Sequence, residues 1–150
     1  MAGFTGFDRV LRRYGGIATR RELLAAGWTE TEFWFALRYR NLDRIRQGWY
    51  AASDLPTDAR AAWRAGGPLA CVSALRHYGL LPDEEGAESV VGGTLHICLP
   101  AGGRVGRDAP EGLVVHWSTA DRYSGTRQAV SPEVALRQAR ACARQAGLTR

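Results

Sequence analysis

The sequence predicts an α+β fold in two parts: three short helices and a hairpin over residues 1–52, then a small mixed α/β domain over residues 58–150. Three observations carry this. Apolar residues recur at helical spacing in several short runs. Two Thr-x-x-Glu pairs, Thr19/Glu22 and Thr29/Glu32, mark two helix starts close together. Segments around residues 42–51, 95–99 and 113–117 alternate apolar and polar residues, the period of a strand.

The first helix runs through FDRVLRRY, with Phe7, Val10, Leu11 and Tyr14 at helical spacing. Thr5, three residues before Asp8, is a weaker version of the same capping pair. Gly15-Gly16 closes this helix, because glycine adopts left-handed geometry without a Cβ penalty. The second helix starts at Thr19, uses Leu23 and Leu24 as its apolar face and stops at Gly27. The third has Thr29 as N-cap and runs to about Tyr39, with Phe33, Ala36 and Leu37 on one face. LDRIRQGWYAA then changes to a period of two. It places Arg44 and Arg46 on one face, Ile45 on the other, and a tight turn at Gln47-Gly48.

ASDLPTD reads as a linker around Pro56. Thr57 or Asp58 is expected to cap a helix through ARAAWRA, and PLACVSALRHYGLL reads as the next helix. TLHICLP is expected to bury Leu95, Ile97 and Leu99 on one face, and LVVHWS to do the same with Leu113, Val115 and Trp117. Ser131-Pro132 opens a final helix from Glu133 to about Ala146.

Composition narrows the function. The 150 residues suffice for a real core, and 45% hydrophobic with 23% charged residues is ordinary for a soluble domain. No apolar run is long enough to span a bilayer, and MAGFTGFDRV has no secretory pattern, so a cytoplasmic protein without membrane contact is expected. Cys71, Cys98 and Cys142 are odd in number and widely spaced, the pattern of reduced thiols. All 20 basic residues are arginine. The missing lysine excludes a Walker-type phosphate site, a Schiff base and the lysine of a restriction-type nuclease site, and no enzymatic chemistry is expected. Residues 1–50 hold nine arginines and five acids, a net +4, whereas residues 51–150 hold eleven and ten, a net +1.

The positive excess therefore coincides with the paired helix starts. AAGW joins two capped helices with little room between them, the arrangement of a helix-turn-helix whose second helix enters the major groove. The hairpin would add a wing. Candidate contacts to DNA are Arg20 and Arg21 on the second helix, Thr31, Trp34, Phe35, Arg38 and Arg40 on or just after the third, and Arg44 and Arg46 on the hairpin. Arg38, Arg40, Arg44 and Arg46 would form one basic ridge suited to bidentate contact with phosphate or guanine. Against this stand Glu30 and Glu32, which repel phosphate, and the alternative that Trp34 and Phe35 are core residues.

GGIATRRELLAAGWTETEFWFALRYRNLDRIRQGWYA resembles the N-terminal winged-helix domain of the AbiEi family of antitoxins, from type IV toxin–antitoxin systems. The matching wing positions are Leu42, Ile45, Arg46, Gly48 and Tyr50. A weaker likeness to actinobacterial relatives continues through CVSALRHYGLL, LHICLP and VVHWS. Where the family often has glycine before the wing leucine, this chain has Arg40-Asn41, and with no residues here matching the endonuclease-like C-terminal domain of many relatives it is expected to be either a short natural member or a fragment. The resemblance implies a winged helix-turn-helix autorepressor bound to its own promoter, with a nucleotidyltransferase-like toxin as partner and a homodimer as a possible assembly. Two alternatives stay open: a protein-interaction module that binds a toxin or nuclease without DNA, or the non-catalytic front half of a very-short-patch-repair-like endonuclease.

Other constellations are weaker. His77, His96 and His116 with the three cysteines show no Cys-x-x-Cys or His-x-x-x-His pair, so no metal or cofactor is expected. A Ser73/His77 or Cys98/His116 nucleophile pair has no spacing in its favour. GGRVGR follows a strand into a loop rather than a helix, and DEEGAE reads as a solvated acidic loop. DNA binding and protein contacts are expected to divide at the linker near Asp54 to Asp58.

Overall fold

The computed structural model describes residues 4–39, 42–81 and 94–145, with side chains from Arg9 onward. Arg40, Asn41 and the acidic stretch at 83–88 lie outside the described residues. The fold mixes α and β, with seven helices and two small sheets among the described residues. In order these are α1 (Phe4–Arg13), β1 (Ile17–Thr19), α2 (Arg20–Ala25), α3 (Glu30–Arg38), β2 (Leu42–Arg46), β3 (Trp49–Ala52), α4 (Thr57–Ala65), α5 (Cys71–His77), β4 (His96–Leu99), β5 (Val114–Trp117), α6 (Thr119–Arg122) and α7 (Pro132–Gln145).

Both capping boxes form. The Thr19 hydroxyl accepts from the Glu22 N–H at 3.1 Å while the Thr19 N–H donates to Glu22 Oε1 at 2.9 Å. Thr29 and Glu32 repeat the exchange at 3.1 and 3.2 Å. Thr5 lies in the first turn of α1, and its pairing with Asp8 falls outside the described side chains. The expected cap of α4 also fails: Pro56 occupies that position and offers no side-chain acceptor.

A short strand that the sequence does not reveal, β1, completes the first sheet. It pairs with β3, and β3 with β2, all antiparallel in the order β1-β3-β2. This sheet separates two cores. Ala18 and Leu42 face Leu11, Leu23, Trp28, Phe33 and Ala36, while Ile17, Ile45 and Ala51 face Leu55, Trp63, Leu69 and Ile97. The period of two in these strands is the cause, because successive side chains point to opposite faces.

The expected boundary at residues 52–58 therefore falls inside a shared core. Arg127 and Gln128 reinforce the junction: Gln128 donates to the Gly15 carbonyl at 2.6 Å, and Arg127 to the Ile17 carbonyl at 3.0 Å.

β4 and β5 form a parallel pair, with His96 opposite Val114 and Cys98 opposite His116. β4 is buried on both faces rather than one, because α4, α5 and α6 all pack against it. A parallel strand covered on both sides needs no polar face. β5 is the outer strand and only half-buried, and Trp117 is 54% exposed instead of lining the core. The glycine-rich stretch after β4 docks on the end of α4. The Gly106 N–H donates to the Ala65 carbonyl at 2.7 Å, and a Cβ on Gly106 would collide with the Arg64 carbonyl oxygen.

Candidate nucleic-acid interface

The turn between α2 and α3 is fixed from inside. Trp28 is buried against Leu23 and Phe33, and its N–H donates to the Leu23 carbonyl at 3.1 Å. Gly27 takes φ +107°, a left-handed backbone that a side chain would strain. The tight turn and the two capping boxes set α3 at a defined angle to α2.

α3 is divided sharply between its faces. Phe33 and Ala36 are each 1% exposed, and the Phe33 ring meets Tyr50 edge-on at 4.9 Å. On the other side Trp34 is 60% exposed, Phe35 50% and Tyr39 60%, with Thr31 and Arg38 also exposed. Trp34 and Phe35 are therefore not core residues. Phe35 and Tyr39 lie against each other at 4.4 Å.

The arginines sort into three kinds. Arg21, Arg38 and Arg44 are exposed. Arg20 is ion-paired with Glu30, and its guanidinium lies 5.7 Å from the Phe33 ring centre. The pair neutralises an acid at the start of α3 that would otherwise repel phosphate. Arg46 is committed elsewhere: it donates to the Gly66 carbonyl at 2.9 Å and to the Arg104 carbonyl at 3.3 Å.

Simple alternation would put Arg44 and Arg46 on one face. A bulge between them overturns this. Arg44 lies opposite Tyr50 and Arg46 opposite Trp49, so the extra residue, Ile45, sends the two arginines to opposite faces. Of the expected ridge, Arg38 and Arg44 stand on the α3 side, Arg46 caps the end of α4, and Arg40 lies outside the described residues.

Four residues that sequence spacing does not connect come together elsewhere. Cys71, His96, His116 and Cys142 bring their ligand atoms within 4.8 Å of one another. Burial, with His116 beside it, pulls the His96 pKa down to about 4, and burial pushes the Cys71 thiol up to about 12. Cys98 stays apart, its sulfur against the Ser118 carbonyl, and His77 packs edge-on against Tyr78. The pairing of β4 with β5 brings His96 to His116, and the packing of α5 and α7 adds Cys71 and Cys142; neither is written in one segment alone.

No known protein-family profile matches this sequence, and no curated protein matches it.

Proposed function

We propose that this chain binds duplex DNA with α3 in the major groove and the β2–β3 hairpin as a wing beside it. The observation that carries the reading is the bare outer face of α3 above a fully packed inner face. A helix held this rigidly, with its polar and aromatic side uncovered, is suited to insertion in a groove. The element order from α1 to β3, with the sheet order β1-β3-β2, agrees with a winged helix-turn-helix. Arg38 on α3 and Arg44 on the wing serve as phosphate or base contacts, Arg21 approaches the backbone from α2, and Arg20 keeps Glu30 neutralised. With the resemblance to AbiEi antitoxins, this makes the chain an autorepressor at its own promoter that also binds a nucleotidyltransferase-like toxin in the cytoplasm.

A second reading has its own support. Trp34, Phe35 and Tyr39 form an exposed aromatic group, and aromatic side chains dominate protein interfaces. On that reading the same face binds a protein and no DNA. Fluorescence anisotropy with promoter duplex over a salt series separates the two. A DNA contact gives a linear fall of log affinity with log salt. A purely protein-binding face gives no duplex binding at any salt.

A further inference from the structure

We propose that Cys71, His96, His116 and Cys142 form a structural zinc site that clamps the C-terminal half of the chain. The ligands come from four elements: the start of α5, the start of β4, β5 and α7.

All four ligand atoms lie within 4.8 Å of one another, and two of their separations fit the edges of a tetrahedron around one ion. His96 Nδ1 and His116 Nε2 are 3.2 Å apart, and Cys142 Sγ lies 3.7 Å from His116 Nε2. Zinc binds histidine nitrogen at about 2.0–2.1 Å and cysteine sulfur at about 2.3 Å. A regular tetrahedron with those bonds has edges of roughly 3.3 Å between nitrogens, 3.6 Å between nitrogen and sulfur, and 3.8 Å between sulfurs. Both separations match their edges. The 4.8 Å limit over all four atoms leaves room for the remaining edges.

The donor set selects the metal class. Two sulfurs and two imidazoles in a tetrahedron favour zinc over oxygen-seeking cations. A two-iron cluster with the same residues needs the histidines and cysteines on different irons. The 3.7 Å contact between Cys142 and His116 places a sulfur and a nitrogen on the same ion instead. Two thiolates cancel the charge of a zinc dication, which suits a largely covered site; their two protons leave to solvent. Four protein ligands close the coordination sphere, so the ion would be structural and not catalytic.

The surroundings hold the ligands in place. The Cys71 N–H donates to Gln138 Oε1 at 3.0 Å, from α7, and the His96 N–H donates to Ser73 Oγ at 3.0 Å, from α5. Cys71 itself has φ +53°, the one left-handed residue that is not glycine among those described. Backbone strain of this kind persists where surrounding structure over-determines it, and here it delivers a thiol to the cluster.

The test uses the full chain, purified under reducing conditions and dialysed first against zinc and then against cobalt. We expect about one zinc per chain. We expect the cobalt form to show intense tetrahedral visible bands with thiolate charge transfer. In competition with a chromophoric chelator, Cys142→Ser and His116→Gln should bind zinc at least roughly 100-fold more weakly, exceeding the usual effect of removing an outer-shell partner. Cys98→Ser, whose sulfur lies outside the cluster, should bind as the unaltered chain does. If a ligand variant fails to fold, the cobalt spectrum of the unaltered chain still decides, and Cys142→His should retain a tetrahedral spectrum with about half the thiolate intensity. A folded chain that holds no zinc, a pale octahedral cobalt spectrum, or equal metal loss from Cys98→Ser and Cys142→Ser would overturn the proposal.

Discussion

Glu22 and Arg127, 105 residues apart, form a bidentate ion pair with contacts of 2.6 and 2.5 Å. Glu22 is also the partner of Thr19 in the capping box of α2, so one carboxylate both starts a helix and anchors the distant chain. The Arg127 guanidinium lies over Tyr14 and Trp49 as well, at 4.8 and 5.3 Å. Both charged side chains are mostly covered, 28% and 24% exposed. Hydrogen bonds between charged groups contribute about 1.5–3 kcal/mol, less where solvent screens them. Glu22→Gln should keep the cap, since glutamine accepts equally well, yet cost about 1–2 kcal/mol through the ion pair. Chemical denaturation measures it; an unchanged midpoint would show the pair to be without consequence.

The same pair sets an acid limit. Chiefly the hydrogen bonds from Arg127 lower the Glu22 pKa from the usual 4.5 to about 2. The folded carboxylate therefore binds fewer protons than the unfolded one, and stability falls as pH falls. The contribution is complete above about pH 4.5 and drains away as pH drops toward 2. Stability profiles of the unaltered chain and Arg127→Gln should converge over that window. Parallel profiles would assign the acid sensitivity to other groups.

Thr29→Ala removes the acceptor for the first turn of α3 and should cost about 1 kcal/mol. DNA affinity should drop with it, through fraying of the exposed helix. If melting stays constant while binding falls, Thr29 touches the ligand directly.

Residues 1–56 alone leave Ile17, Ile45 and Ala51 uncovered, because the sheet face they share is packed by α4 and the later elements. This fragment should show no cooperative melting transition. A sharp transition with native-like helix content would restore an independent N-terminal module.

Local chemistry is legible in the sequence. The two Thr-x-x-Glu pairs mark both caps, and the alternation of Ile45 with its neighbours marks the hairpin. What the sequence hides is non-local. Three residues, Ile17–Thr19, are too few to show a period, so β1 is invisible without its partner β3. The bulge at Ile45 breaks the alternation that the sequence displays, and so separates Arg44 from Arg46. Alternation assigns Trp117 to the core, yet β5 is the outer strand of its pair. The Cys/His cluster depends on a parallel register and on α7, and no ligand spacing within one segment announces it.

The salt dependence of duplex binding is the measurement closest to the central claim. Arg38 and Arg44 are exposed on the α3 side, whereas Arg46 is bonded to two backbone carbonyls on the other face. Removing one arginine from a phosphate lowers the magnitude of the log–log salt slope by roughly 1. The double variant Arg38→Ala/Arg44→Ala should therefore melt as the unaltered chain does while its slope shrinks by roughly 2. Arg46→Ala should lower stability and leave the slope in place. A folded double variant with an unchanged slope, or an unaltered chain that binds no duplex at low salt, would contradict DNA recognition by this face.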